Sequence, residues 1–397
     1  MLNAKVVIGA GFGDEGKGLM TDYFCSQFPK DKPVLNVRFN GGAQAGHTVV
    51  TPIGQRHVFG HLGAGSFLPN VVTYLAAEYI VNPILFRIEY EKMEAQGIHP
   101  IVIMHPRCLL TIPQDMMINQ MVERHRGQNR HGSCGVGIFE TMYRSKTDFI
   151  INLGMASSTA VYNRLVDRDY SQWHLAELGV EKVTDHDAAL LTNKNIAAHY
   201  AADIEFLKNH VTIMDEQVLK KFENVVFEGA QGLLLDQNNL DYFPHLTPSN
   251  TGIQNVSSML SYCDLAALSV EVCYVTRPYL TRHGAGMFMT ECDRNMVNAK
   301  VDQTNHHNEF QGGFRYGYHD PLLIEKAIEK DKKFIPETIC DYTIAVTHAD
   351  ETADLMMCRN RKMHILDWDT EKSIGVPVRY ISHGNSRMNI SKVDKRW

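Results

Sequence analysis

Short apolar runs bounded by turn-forming residues recur along the chain, with amphipathic stretches between them. Val6–Gly9, Val34–Phe39, Ile101–Met104, Val225–Glu228, Val270–Thr276, Tyr342–Thr347 and Val378–Ser382 are such runs. Continuous apolar character over so few residues predicts strands buried on both faces, as in parallel sheets. Lys17–Phe28 and Pro321–Glu329 carry helical spacing. This alternation predicts an α/β protein with a large, mainly parallel central sheet and helices on both faces. Polar residues gather at the strand ends, where open α/β sheets bind ligands. No repeat or Pro/Ser-rich linker divides the chain. The expectation is a single domain over 1–397 with insertions forming subdomains around 80–220 and 285–335.

A net charge of −6 in 397 residues argues against nucleic-acid or membrane-surface binding, which needs a basic excess. It leaves room for small anionic ligands held by backbone donors. Eight cysteines without a C-x-x-C pair fit reduced thiols in a cytoplasmic protein. No apolar run reaches the roughly 18 residues of a membrane span.

The first strand opens into Gly9-Ala10-Gly11-Phe12-Gly13-Asp14-Glu15-Gly16-Lys17-Gly18. Gly11-x-Gly13-x-x-Gly16 fits a dinucleotide fingerprint, which expects an acid about 20 residues on, at the end of the second strand. That strand ends Arg38-Phe39-Asn40, without one. Gly11-x-x-x-x-Gly16-Lys17 also fits a P-loop, the pattern of a GTP-binding regulator. Gly18 then stands where the pattern needs Ser or Thr for Mg²⁺. A loop that merely turns the chain gains nothing from Asp, Glu and Lys among its glycines. A phosphate and magnesium site is the better account, with Asp14 as the available hard ligand and Lys17 with the loop amides and helix N-terminus on the phosphates. After the second strand, Gly41-Gly42-Ala43-Gln44-Ala45-Gly46-His47-Thr48 offers an imidazole on the neighbouring strand end. Such a histidine can donate to a phosphoryl oxygen.

These two loops resemble the adenylosuccinate synthetase family, with its G-D-E-G-K-G and G-G-x-x-A-G-H-T. Five further blocks follow in family order. Phe227-Glu228-Gly229-Ala230-Gln231-Gly232 with Leu234-Leu235-Asp236 is similar to F-E-G-A-Q-G-x-L-L-D, and Thr247-Pro248-Ser249-Asn250-Thr251 to T-x-S-N-T. Thr281-Arg282-His283-Gly284-Ala285-Gly286 with Phe288 and Thr290-Glu291 is similar to T-R-V-G-A-G-x-F-x-T-E. Thr347-x-x-Asp350 and Ser382-His383-Gly384 echo T-K-L-D and S-T-G-P.

The resemblance implies a ligase that spends GTP to phosphorylate the 6-oxygen of a purine nucleotide, IMP, and lets the amine of aspartate displace phosphate. It implies Asp14 and His47 as catalytic residues: Asp14 removes the purine N1 proton, and His47 stabilises charge on the transferring phosphoryl group. It assigns GTP to Gly13, Glu15, Gly16, Lys17, Gly18, Gly46, Thr48, Asp350, Ser382 and Gly384. The purine nucleotide falls to Asp14, Lys17, Gln44, Ser133, Cys134, Gln231 and Thr247, and Mg²⁺ to Asp14 and the Gly46 carbonyl. Asp350 suits guanine, whose N1 and N2 donors a carboxylate accepts. A homodimer is implied, with an arginine crossing to the partner's site and Arg144 the candidate.

Several positions depart from the family. Gln44 stands for Asn, Gly132-Ser133-Cys134-Gly135 for G-T-T-G, and His348 for the lysine of T-K-L-D. The amino-acid loop, Asn308-Glu309-Phe310 to Asp320, has thirteen residues where the family's N-E-F-G-A-T-T-G-R-R-R-R-T-G-W-L-D has seventeen. Of its arginine run only Arg315 survives. Carboxylate recognition then falls to Arg315 with Arg282, or the second substrate differs. Alternatives therefore stay open: a variant ligase using dGMP, GMP or another amino acid, a P-loop regulator without ligase activity, and a non-catalytic paralogue.

Overall fold

The computed structural model describes residues 2–127, 130–180, 183–265, 270–301, 310–335, 340–368 and 370–393. The strands are β1 (Asn3–Gly9), β2 (Val34–Arg38), β3 (His47–Val50), β4 (Arg56–Phe59), β5 (Val71–Leu75), β6 (Ile101–Met104), β7 (Thr212–Ile213), β8 (Asn224–Gly232) and β9 (Val270–Thr276). They continue with β10 (Leu280–His283), β11 (Glu291–Cys292), β12 (Phe314–Gly317), β13 (Cys340–Val346), β14 (Asp354–Met356), β15 (Lys362–His364), β16 (Val378–Ser382) and β17 (Ile390–Lys392). Ten of them form one sheet in the order β17-β16-β13-β9-β1-β8-β2-β5-β6-β7. Its pairings are parallel except at the β16–β17 edge. β1 lies centrally between β8 and β9.

Alternate residues of the central strands face opposite helical layers, as a period of two requires. On one face Val7, Val226, Cys273 and Ala345 pack on Met20 and Phe24 of α1 (Lys17–Gln27). On the other, Val6, Ile8, Phe227 and Tyr274 belong to the largest apolar cluster. That cluster takes in Val256 and Met259 from the helix Gln254–Tyr262 and Ile324 and Ile328 from the helix Pro321–Lys332. The chain is thus doubly wound, and the loops after β1, β2, β8, β9 and β13 open at one end of the sheet.

Residues 83–210 add a run of helices around a separate apolar cluster that includes Ile118, Leu153, Ile204 and Leu207. Beyond β9 the chain builds a small antiparallel sheet in the order β10-β12-β11. Among the described residues no helix is long and apolar enough to cross a membrane.

Arg144 sits inside the helical layer and cannot be a residue that crosses to a partner. Its side chain is 1% exposed, and its Nη2 lies 2.8 Å from Asp115 Oδ2. It also donates to the carbonyls of Leu110 and Phe149. Asp115 further accepts from Tyr170 and Thr141, so the arginine anchors the layer from within. Removing one member of a buried ion pair strands the other charge, at a cost of about 3–5 kcal/mol. Asp115→Ala is expected to lower unfolding stability by that amount in urea denaturation. A loss below about 1 kcal/mol would mean that the pair carries little of this layer.

Candidate active site

The phosphate loop owes its shape to one carboxylate. Glu15 turns beneath the loop, where its Oε1 accepts from the N–H groups of Gly11 and Gly13 at 3.0 and 2.7 Å. Its Oε2 takes Lys17 Nζ at 2.6 Å. The Glu15 side chain is therefore a brace beneath the loop, and this residue, expected at the GTP site, does not line the cleft. Gly13 and Gly16 adopt φ of 102° and 93°, the left-handed region that glycine enters freely. Asp14 between them also has positive φ, 63°, a backbone that a side chain occupies only where its surroundings impose it. The impositions are Arg277 Nε donating to the Asp14 carbonyl at 2.6 Å and Thr347 Oγ1 donating to the Glu15 carbonyl at 2.6 Å.

Gly18 explains the missing P-loop hydroxyl. A Cβ added there would lie 2.9 Å from His47 Cβ and 3.1 Å from the Thr48 carbonyl. The start of β3 occupies the space in which a Ser or Thr would stand. Absence of a side chain thus brings the imidazole against the phosphate loop.

His47 Nδ1 lies 2.5 Å from Oε1 of Glu228, in the middle of β8. Glu228 is fully buried, and its other oxygen accepts from Asn36 Nδ2 and the Ala64 N–H, each at 3.0 Å. Arg38 Nη1 lies 3.9 Å from Oε1, the oxygen that also faces His47. Despite burial, the Arg38 guanidinium and the His47 bond hold the Glu228 carboxyl below the usual range. Burial, together with Arg38, lowers His47 to about 4, and its bond to Glu228 only partly offsets this. At neutral pH the charge pair is therefore Arg38–Glu228, and the imidazole is neutral. Nδ1 carries its proton toward the carboxylate, so Nε2 is left as an acceptor.

Both loops face a cleft of about 620 Å³. Of the residues expected from sequence, Gly13, Asp14, Gly16, Lys17, Gly18, Gln44, Gly46, His47, Thr48, Gln231, Asp350 and Gly384 line it. Burial raises the Asp14 carboxyl above its ordinary value, against the opposing pull of Arg277 and Lys17. Among the described residues, the Oε1 of Gln44 is buried with no hydrogen-bond partner, and so is Nε2 of His283, which also lines the cleft.

The remaining expected residues stand back from that wall. Ser382 shapes the turn by donating to the Gly384 carbonyl at 2.7 Å. Ser133 donates to Asn119 Oδ1, and burial pushes the Cys134 thiol up to about 11. Thr247 is tied through its N–H to the carbonyl of Leu235, a cleft residue. Arg282 is 1% exposed and donates to the carbonyls of Ala285, Met287 and His245. Arg315 forks onto Glu291, with Nη2 at 2.5 Å and Nε at 2.8 Å, and donates to the Gly284 and Gly286 carbonyls. Both guanidiniums brace the 284–291 segment, and neither lines the cleft. Asn308 and Glu309, which begin the shortened loop, lie outside the described residues.

Sequence reasoning did not single out Glu228 as the partner of His47, nor Arg277, His283 or Lys300 as cleft-side residues. The acid inside the apolar run Val225–Glu228 was the one available signal, because a strand buried on both faces tolerates a carboxylate only with partners.

Fold and cleft together define a nucleotide-handling α/β protein with a glycine-rich phosphate loop at the switch point of a parallel sheet. The family model for adenylosuccinate synthetase matches residues 6–334, so the chain belongs to the adenylosuccinate synthetase family, whose chemistry is C–N ligation. The adenylosuccinate synthetase of Mesoplasma florum is 29% identical over 99% of this chain and 89% of its own length. That of Acinetobacter baylyi is 28% identical over 82% of this chain and 74% of its own. Among solved structures, a fully ligated adenylosuccinate synthetase from Plasmodium falciparum superposes with TM-score 0.73 at 18% identity, covering 99% of this chain and all of its own. A cyanophage S-2L succinoaminodeoxyadenylate synthetase bound to dGMP and dATP gives 0.64 at 14% identity, covering 99% and 95%. At those identities the two structures establish the fold alone.

Gly18→Ser completes the P-loop pattern and removes a helix glycine, a change that in an open helix stabilises by about half a kcal/mol. Here the side chain meets His47 Cβ and a carbonyl, so the expected result is destabilisation by about 1–3 kcal/mol in chemical denaturation. An unchanged or raised midpoint would show that the two loops are not in packing contact.

Proposed function

We propose that this chain is an adenylosuccinate synthetase-type ligase. It uses GTP to phosphorylate the 6-oxygen of IMP and then exchanges that phosphate for the amine of aspartate. The observation that carries the reading is the pair Asp14 and His47, offered by adjacent loops to one cleft, with Glu228 behind the imidazole.

Asp14 takes the proton from purine N1 as the 6-oxygen attacks the γ-phosphorus, and the bond to the β-phosphate oxygen breaks to release GDP. A carboxyl whose affinity for protons is raised by burial is better matched to that task than an exposed one. In the second step the aspartate amine attacks C6, and phosphate leaves with the 6-oxygen. His47 supports the first step by donating to a phosphoryl oxygen. Because Nδ1–H is committed to Glu228, Nε2 can donate only when the ring is an imidazolium. The triphosphate's own negative charge favours that proton, so nucleotide binding and protonation of His47 are linked.

Mg²⁺ suits this donor set. Asp14 and Gly46 both line the cleft and offer hard oxygens, and no cluster of three His, Cys, Asp or Glu exists among the described residues. That is the pattern of an ion held mostly by phosphates and water. Asp14 and the Gly46 carbonyl would hold it, and when bound it neutralises charge on the transferring phosphate. Gln44 and Gln231 serve the purine nucleotide. Ser133, Cys134 and Thr247 stand one layer behind, where loop closure on the 5′-phosphate is needed to engage them.

The amino-acid site rests on Arg315, whose carboxylate partner is exchangeable. Homodimeric assembly and a cytoplasmic setting remain part of this reading on family grounds, with a residue other than Arg144 crossing between subunits. A second reading, with dGMP or GMP replacing IMP, is favoured by one observation. His283 stands where the family has Val, and its Nε2, without a partner among the described residues, suits the 2-amino group of guanine.

Asp14→Ala is expected to abolish phosphate release with IMP, aspartate and GTP while leaving the melting temperature within a few degrees. Near-normal turnover in this variant would sink the assignment. His47→Ala should slow the reaction on the order of 10²–10⁴-fold. Calorimetry of GTP binding at pH 7, repeated in buffers of different ionisation enthalpy, should register about one proton taken up by the wild type beyond that of His47→Gln. Equal uptake in the two proteins would place the proton elsewhere.

A further inference from the structure

The cleft wall beyond the phosphate loop carries an ion pair that the family motifs do not contain. Lys300 Nζ lies 2.5 Å from Asp350 Oδ2, and both residues line the cleft. The lysine's backbone is held in place. Its N–H donates to Glu351 Oε2 at 3.2 Å, and Tyr279 clamps the same oxygen at 2.6 Å. One residue earlier, the Ala299 carbonyl accepts from Arg294. The ammonium is therefore delivered to Asp350 from a fixed segment, although the side chain itself is 62% exposed.

A lone carboxylate distinguishes purines sharply. Guanine gives it two donors, N1–H and N2–H, whereas adenine gives one and turns the lone pair of N1 toward it. A carboxylate with an ammonium beside it presents an acceptor and a donor together. Guanine satisfies that pair through N1–H to Asp350 and O6 to Lys300. Adenine offers the same two kinds of group in reverse order, N6–H for Asp350 and N1 for Lys300, and so engages the pair with its base turned in the site. We infer that Lys300 is a specificity-determining residue of the triphosphate's base site, and that it opens this ligase to ATP as well as GTP. The inference rests on the reading above that Asp350 faces the base of the energy donor.

The test uses the full chain with the slowly hydrolysed analogues GTPγS and ATPγS, titrated by calorimetry into wild type, Lys300→Ala and Lys300→Arg. The wild type is expected to bind both within about tenfold of each other, as loss of one hydrogen bond or less implies. Lys300→Ala should shift the affinity ratio toward GTPγS by about tenfold. Lys300→Arg, which keeps a donor, should shift it less. A ratio that Lys300→Ala leaves unmoved, or a wild type that binds GTPγS and shows no heat with ATPγS, overturns the inference. Turnover of IMP and aspartate with GTP in the same protein samples tests the ligase reading separately. Absence of product together with a shifted ratio would remove that reading and leave the base site standing.

Discussion

A single buried carboxylate ties this structure together. Glu228 lies in the middle of β8 with no exposure to solvent, where an unpaired charge would cost several kcal/mol. Its partners come from three segments: Asn36 and Arg38 on β2, the Ala64 N–H, and His47 at the start of β3. The register that sets Arg38 opposite Glu228 in the sheet is thus the same constraint that orients the imidazole. Arg38 is itself buried and lies 5.3 Å from the centre of the Tyr79 ring, so the network extends toward β5. A site fixed by core electrostatics needs little reorganisation when a ligand arrives.

The second coupling is steric. Because residue 18 has no side chain, α1 begins in contact with β3, and neither the glycine loop nor His47 can shift alone. Thr347 adds the loop after β13 to the same block through the Glu15 carbonyl, and Arg277 adds the loop after β9 through the Asp14 carbonyl. The start of β3 and the loops after β9 and β13 therefore converge on residues 14–18. The positive φ of Asp14 is sustained by these contacts.

How much of this was legible depended on the range of each interaction. Ile101–Met104, Val270–Thr276 and Val378–Ser382 form strands over those same residues, because an apolar run between turn signals is a local property. Val71–Leu75 is a similar run that the strand assignment omitted. The helices between 83 and 210 were not assigned from the sequence, although capping residues mark them. Asn82, Ser157, Asp167, Thr184 and Asn193 each accept from the first turn, and prolines open the helices at 83 and 113. Glycine spacing marked the phosphate loop for the same reason, since positive φ is a demand on single residues. The role of Glu15 was hidden, because a charged residue in a glycine loop looks the same whether it points outward or beneath. Glu228 was hidden by distance along the chain: its partners lie more than 160 residues away.

The arginines show why counting charges misleads without magnitudes. Arg282 and Arg315 sit directly opposite each other on β10 and β12, an arrangement of like charges that needs neutralising partners. Arg282, itself 1% exposed, donates to the carbonyls of Ala285, Met287 and His245, which holds its guanidinium within the loop. Arg315 instead holds Glu291, whose side chain is 46% exposed, and a pair so placed is worth only about 0–1 kcal/mol. The Arg315–Glu291 pair is therefore the more readily exchanged of the two, whereas Arg282 is held by its own loop. The shortened 308–320 segment thus leaves one exchangeable guanidinium where the family motif has four arginines. Under the proposed function, an amino-acid dicarboxylate would then draw on backbone donors beside that one guanidinium.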